Sequence, residues 1–464
     1  MFVMLSDGAG LTSRQCATLL SRDGHRVEAL SPSGLCLCRM TRHVRRVHRV
    51  PAIGRDPFGW LDAALDIATR RHADLLLPVQ EQVAVMSLAR DRIEAAGLRT
   101  AVPDFSALAQ VQDKVSAHRT LTRMGVPQPP TVVATTVREL EAAAGFEAAD
   151  EAGGRQGVFV KTPIGTASAG VRLVRSRDEL RRLAADYEGQ GVFGQGGVPV
   201  AGQGGVGGGG VAGGGVLVQQ VVRGALVMVQ AVFADGELVA FHACERVREG
   251  AQGGASHKRG LRLPEAREHL ARLGGDLGWH GALSADVILS PTGPVFIDIN
   301  PRLVEPVNAM ASGVDLVRAL VEVAGTGSPA AQPAAQPPGQ PGVRTHQLLI
   351  AVLGAAQRGR RRDVARELGQ AALHRGDYRG SREELTPRGG GDLLAGLPVT
   401  VIALAALARP AAWRYFTSGS TGAYSLTPDA WRQLTTAWRE LDQAAPAPAG
   451  ERGHLGASTT ARSA

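Results

Sequence analysis

The chain has 464 residues, of which 44% are hydrophobic and 20% charged, with a formal net charge of +8. That length fits two or three domains with cores of their own. Aromatic residues make up 4% of the chain and no basic run is interleaved with them, so the positive charge reads as solvated surface and no nucleic-acid partner is expected. Four cysteines, Cys16, Cys36, Cys38 and Cys244, are too few for a disulfide scaffold and lack paired metal-ligand spacing, which points to free thiols and a cytoplasmic protein. The opening MFVMLSDGAG has no basic segment before its apolar run and reads as a first strand, not a signal peptide.

One compositional bias singles out residues. Of 51 basic residues only three are lysines, Lys114, Lys161 and Lys258, leaving 48 arginines. Asparagine occurs twice, at Asn300 and Asn308. A compact ammonium and a planar guanidinium are not interchangeable at a phosphate, so the retained lysines are candidates for positions where arginine does not serve.

Residues 1–102 alternate strands and helices: FVMLS, a Gly8/Gly10 turn and a helix to Gly24, then HRVEALSP, a helix over Phe58–Arg71 and the apolar strand DLLLPV. This alternation predicts a Rossmann-like parallel sheet. The GAG turn lacks a third glycine, since Ser13 stands there, so it is a weak dinucleotide signal. Residues 103–325 begin with a helical region up to Gly125. A strand, a helix and the strand–loop–strand VFVKTPIGTASAGVRLV follow. Residues 189–215 are glycine-rich and are expected to be a disordered insertion. VLVQQVV resumes as a strand. Two hairpins come next, one turning at Asp235-Gly236 and one over GALSADVILSPTGPVFIDINPR. Residues 326–342 read as a Pro/Ala/Gln linker, 343–444 as a mainly helical C-terminal region and 445–464 as a disordered tail. Within that region Leu393–Ala408 is an apolar run of 16 residues. A spanning helix needs ~20, so a buried helix is expected and no stable membrane insertion.

The chemistry-bearing residues come in one order. Lys114 opens the DKVSAHRTL helix. Lys161 leaves its strand directly into a loop whose glycines, Gly165 and Gly170, let backbone N–H groups approach phosphate oxygens. Asp286 and Asp298 lie twelve residues apart around a hairpin, and in-register pairing puts both carboxylates on one face with Asn300. Two carboxylates and an amide oxygen suit Mg²⁺. Solvent-face residues are the plainer alternative, but ADVIL and FIDIN are apolar strands. Arg302 follows closely enough to clamp a carboxylate or a phosphoryl group. His257 and Lys258, read as part of a Gly/Ser-rich loop, are candidates to reach a phosphate or the substrate. Glu305 and Asn308 are candidates for an acceptor pocket, with capping or loop hydrogen bonding an equal account of Asn308.

In this combination QDKVSAHRTLTRMGVPQPP, VFVKTPIGTASAGV, VLVQQVVRG and GALSADVILSPTGPVFIDINPR resemble the ATP-grasp domains of biotin carboxylases and carbamoyl-phosphate synthetase large subunits, over residues 1 to 325. The resemblance implies an α/β and α+β architecture: a Rossmann-like domain, an ATP-grasp domain with antiparallel sheets, and a mainly helical C-terminal region. It implies ATP and Mg²⁺ (or Mn²⁺) as cofactors. Lys114 and Lys161 would contact ATP phosphates, together with the loop residues Gly165, Ser168 and Gly170. Gln219, Gln220 and Val221 would contact adenine. Asp286, Asp298 and Asn300 would hold the metal, and Arg302, Lys258 and His257 would face the reacting groups. Two positions depart from the family pattern: Gln220 stands where a glutamate is usual, and Ala225-Leu226 stand where a ribose-binding acid is usual.

The expected activity is a ligase that activates a small carboxylate as an acyl phosphate and couples it to an amine or another nucleophile. A bicarbonate-activating carboxylase and a non-catalytic ATP-binding regulatory module are the alternatives. A homodimer is left open.

Overall fold

A computed structural model describes residues 1–146, 157–166, 169–193, 215–325, 333–386 and 392–444. Ser168, most of the glycine-rich insertion (194–214), the first part of the expected linker (326–332) and the tail 445–464 lie outside the described residues.

The first region runs β1 (Phe2–Leu5), α1 (Leu11–Arg22), β2 (Arg26–Ser31), β3 (Val47–Arg49), α2 (Pro57–Arg70), β4 (Leu75–Leu77), α3 (Val83–Leu88) and α4 (Arg90–Ala95). Its four strands are parallel in the order β3-β2-β1-β4. FVML and LLL are buried along their whole length, as expected for strands covered on both faces. The order reverses between β1 and β4, so a crevice opens beyond their carboxyl ends, where residues 6–10 and 78–82 meet.

Next come α5 (Phe105–Gln112) and α6 (Lys114–Arg123). Asp113 caps α6 by accepting from the N–H groups of Val115 and Ser116, and Gly125 ends this segment at φ +63°. A four-stranded antiparallel sheet follows in the order β5-β8-β6-β7. It is built from β5 (Thr131–Ala134), α7 (Val137–Ala144), β6 (Val158–Lys161), β7 (Val171–Val174), α8 (Arg177–Gly189) and β8 (Val216–Gln220).

The largest sheet has seven strands in the order β13-β12-β9-β10-β11-β14-β15. Its elements are β9 (Ala225–Ala234), β10 (Glu237–Glu249), β11 (Ala255–Leu261), α9 (Pro264–Asp276), β12 (Gly281–Ser290), β13 (Gly293–Asn300), α10 (Val307–Ala311), α11 (Leu316–Gly325), β14 (Arg344–His346), α12 (Leu348–Gln357), α13 (Arg361–Ala372) and β15 (Arg382–Glu383). The hairpin turn falls where expected, with Asp235 and Gly236 both at positive φ, as a tight two-residue turn requires.

Residues 333–342, expected as part of a linker, are bound to the body. The Gln336 N–H donates to Val239 O at 2.8 Å and the Gln340 N–H to Ser312 O at 2.7 Å. The chain then continues into the same sheet through β14 and ends with α14 (Gly396–Ala408), α15 (Trp413–Tyr424) and α16 (Pro428–Ala444). The last of these returns to the first region: Trp431 stacks near Phe105 with ring centroids 5.7 Å apart, and Thr427 Oγ1 donates to Gly54 O at 2.6 Å.

The expected buried helix over Leu393–Ala408 is a correction. α14 buries Ile402, Ala403 and Ala406 but leaves Leu397, Val401 and Leu404 exposed, and Leu393, in the short 3-10 turn before it, is exposed as well. It rests on α12 and α13 from one side, and a single supporting layer can cover only one stripe of a helix.

Candidate functional site

The site is assembled on one face of the large sheet. Asp286 on β12 and Asp298 on β13 are directly opposed, and Asn300 is opposed to Ser284 two positions along, so all four share a face. A register shift follows Asp286. Like charges opposed across two strands repel. Burial and the neighbouring Asp298 push the Asp286 carboxyl up to about 6, while Lys161, Arg302 and Arg246 pull it the other way. Two carboxylates and an amide oxygen, whose mutual repulsion the nearby cations offset only in part, are a donor set that a hard divalent cation would suit.

Both candidate phosphate lysines converge on this hairpin from different elements. Lys114, at the start of α6, puts its Nζ 3.7 Å from Asp298 Oδ1 and donates to Gly165 O at 3.3 Å. Lys161, at the end of β6, is buried and donates to Ile297 O at 2.7 Å. Burial lowers its pKa, and the carboxylates of Asp298 and Asp286 counter that only in part. The loop after Lys161 is closed by Thr162 N–H to Gly170 O at 2.9 Å, with Gly170 at φ +78°. The two lysines, the described residues of the loop and the two carboxylates therefore lie together.

The expected adenine-contacting residues lie at the end of β8. Gln219 is buried and its Nε2 donates to Thr131 Oγ1 at 3.2 Å. The Gln220 N–H donates to Pro130 O at 2.9 Å. Val221 begins the connection to β9.

Arg302 is not alone at its end of the hairpin. Its Nε donates to Glu81 Oε1 at 3.1 Å, and Gln112 Nε2 donates to the other Glu81 oxygen at 3.1 Å. Glu81 sits just past β4, in the crevice of the parallel sheet. Across from it, Asp7 follows β1. Its Oδ2 accepts from the N–H groups of Ala9 (2.9 Å) and Gly10 (2.8 Å) and from Ser13 Oγ (2.7 Å). Asp7 Oδ1 and Gln80 Oε1 are buried with no partner. A Cβ on Gly10 would stand 2.2 Å from Gln80 Nε2, so a side chain there would displace the Gln80 amide from its present position. Tyr424, from α15, lies within electrostatic reach of Arg302, Asp7 and Glu81, and its phenol is pushed up by burial. Sequence reading missed Glu81, Asp7 and Tyr424. The rule that parallel sheets bind at their carboxyl ends could have found the first two; no sequence signal marks Tyr424.

His257 and Lys258 correct the loop expectation: both lie within β11, because ASHKRGL pairs on both sides, with β10 and with β14. Lys258 shares the face of Asp286 but is buried between Glu305 and Glu384, the latter at 2.7 Å. Burial opposes its charge, yet those two carboxylates hold its pKa above the usual lysine value. Gln347 also donates to both carboxylates, and Gln15 Nε2 reaches Glu384 at 2.8 Å. Glu305 holds its place at φ +53°. His257 points to the other side of the sheet, between His346 and Tyr378. Asn308 is buried and fully engaged: its Oδ1 pairs with His242 Nε2 at 2.8 Å and its Nδ2 donates to Thr345 Oγ1 at 2.7 Å.

No protein-family model matches the sequence, and the search of curated proteins finds no match. Solved structures do. The biotin carboxylase domain of Hydrogenobacter thermophilus 2-oxoglutarate carboxylase, solved with MgADP, ADP and bicarbonate, aligns with a TM-score of 0.52 at 18% identity, over 72% of this chain and 71% of that one. N5-carboxyaminoimidazole synthetase from Staphylococcus aureus aligns with a TM-score of 0.54 at 13% identity, over 80% and 86%. The chain has an ATP-grasp fold. Campylobacter jejuni biotin carboxylase, in an ATP complex, gives a TM-score of 0.50 at 17% identity over 70% of each chain. In this chain the small antiparallel sheet carrying Lys161 meets the large-sheet hairpin carrying Asp286 and Asp298 through the Lys161 Nζ to Ile297 O hydrogen bond.

Proposed function

We propose that this chain is an ATP- and Mg²⁺-dependent ligase that activates a carboxylate as an acyl phosphate and couples it to an amine. The observation that carries the reading is the convergence of Lys114 and Lys161 on the Asp286–Asp298 pair. Asp286, Asp298 and Asn300 would hold the metal, which would supply charge compensation to the phosphate oxygens. Lys114 and Lys161 would bind and orient those oxygens, and Gln219, Gln220 and Val221 would seat the adenine. The γ-phosphoryl group passes to a carboxylate oxygen, giving ADP and the acyl phosphate. Arg302, fixed by Glu81, would steady the charge that develops there. The amine then attacks the acyl carbon and phosphate leaves. The unpartnered oxygens of Asp7 and Gln80 suit an N–H-bearing acceptor. Asp7, whose pKa burial raises, would take the proton the attacking amine loses.

Bicarbonate is the second reading for the activated carboxylate, supported by the bicarbonate held in the Hydrogenobacter domain. Its acceptor would not be a biotin carried on this chain, because all three lysines are engaged: Lys258 in its ion pairs, Lys114 and Lys161 at the hairpin.

The test is ADP release with pooled amino acids and small carboxylates, with and without Mg²⁺ and bicarbonate. Amine-dependent turnover supports the ligase, bicarbonate dependence the second reading, and ATP binding without any turnover sinks both. Asp298→Ala should lower Mg²⁺-dependent ADP production by about a thousandfold, roughly 4 kcal/mol, since a lost metal ligand removes most of the charge compensation. Near-normal turnover in that variant would show the metal assignment wrong.

A further inference from the structure

α14 carries an exposed apolar stripe with basic residues at its carboxyl end. From Gly396 to Ala408 the helix carries no charged residue. Leu397, Val401 and Leu404 recur every three to four residues on its outer side, Leu404 being 63% exposed, and Leu393, in the short 3-10 turn just before the helix, is 92% exposed. Leu394 adds to the patch, and Tyr415 stands 79% exposed beyond its end. An open groove of about 440 Å³ runs there between Ala405 and Tyr415, flanked by Arg409 and Arg414. Contiguous apolar surface of this kind marks a site of interaction.

The charge around it selects the partner. Arg358, Arg360, Arg361 and Arg362 are exposed at the corner between α12 and α13. Arg361 donates to Ala408 O at 2.6 Å, which anchors that corner to the carboxyl end of α14. Arg409 and Arg414, also exposed, complete a cluster of six arginines at one end of the stripe. Asp363, 3.9 Å from Arg358, offsets one of these six charges, and Asp392, at the opposite end of the stripe, is held by Arg14 at 3.0 Å. A second copy of the chain fits poorly. Parallel pairing of two stripes would bring the arginine clusters together, and antiparallel pairing would set each against the positive amino end of the other helix.

We infer that this face binds an anionic lipid surface, with α14 lying in the plane of the membrane, its leucines in the acyl boundary and its arginines on the headgroups. The arrangement matches interfacial helices, whose apolar side is buried and whose basic residues meet anionic lipid. Among the described residues no helix is long and apolar enough to cross a membrane, so the contact is peripheral.

The experiment is co-sedimentation of the full chain with vesicles of phosphatidylcholine alone and with about 30% phosphatidylglycerol, at low and high salt. Partitioning should be at least about tenfold stronger on the anionic vesicles and should weaken with salt. Leu397→Glu/Leu404→Glu should abolish it while thermal stability and ADP production stay unchanged. If that double variant does not fold, Arg409→Gln/Arg414→Gln, which leaves the apolar stripe intact, should still remove most of the anionic preference. Three results would overturn the inference: no sedimentation of the parent, equal sedimentation of parent and variants, or a vesicle-free dimer that Leu404→Glu dissociates, which would make the stripe an interface between copies.

Discussion

Lys161 and Lys258 are both buried, both drawn from a chain that otherwise uses arginine, and they sit in opposite electrostatic situations. Lys258 is enclosed by Glu305 and Glu384 and its pKa is raised. Lys161 has one backbone acceptor, carboxylates only at longer range, and a lowered pKa. Rarity alone marked both as positions arginine does not fill. What separates them is how completely the protein answers the charge. A fully answered ammonium is a structural pin; an under-answered one at a loop root is available to an external anion.

The sharpest way to break this comparison is to remove each charge. Lys258→Met leaves Glu305 and Glu384 buried without their cation, which should cost about 3–5 kcal/mol of stability. Lys161→Met should cost much less stability and yet abolish turnover. Thermal melts and ADP release on the same two variants check both statements; equal destabilisation would erase the distinction.

A finer test keeps the charge and changes its shape. Lys161→Arg should still bind ATP weakly but lose about tenfold in kcat, roughly 1.4 kcal/mol of transition-state stabilisation. Lys114→Arg should behave alike, and the exposed Arg181→Lys control should be silent. If all three matched the parent, lysine at 114 and 161 would be a matter of composition.

How much of this was legible in the sequence depended on whether the signal was local. The β12–β13 hairpin announces itself because alternation, turn residues and paired carboxylates lie within one short stretch. Asp235-Gly236 does the same for the β9–β10 turn. β11 was misread because SHKRG lacks apolar alternation and is flanked by glycines; its strand character comes from pairing with β10 and with β14, far along the chain. Asp7, Glu81 and Tyr424 come from widely separated parts of the chain, and only the folded chain brings Glu81 and Tyr424 to Arg302 and Asp7 within reach of Tyr424. The outer stripe of α14 was hidden for a related reason: an unbroken apolar run does not say which of its sides has a partner.

The smallest expected effect concerns His257, which faces away from Asp286 and separates a buried ring from a catalytic one. Burial, then Arg248, His346 and Arg344, push its pKa down to about 3, and its Nε2 is buried with no partner. An unfolded histidine titrates near ~6.5. Below that pH the unfolded chain takes up a proton that the folded ring refuses, so His257 withdraws stability as pH falls from about 6.5 towards 3. The slope is about 1.4 kcal/mol per pH unit for one such group. His257→Phe removes the titration and keeps a flat ring beside Tyr378. Relative to the parent, the variant should therefore gain stability on acidification, by about 1 kcal/mol between pH 6.5 and 5.5. Taking the difference between the two proteins cancels the carboxyl groups that titrate in the same range, Asp286 and Glu383 among them. Urea melts at the two pH values measure it, and a pH-independent difference would show the ring already protonated or solvated in the fold. ADP production at neutral pH decides the other half: it should match the parent, whereas a fall in kcat with the melting temperature kept would return His257 to the reacting groups.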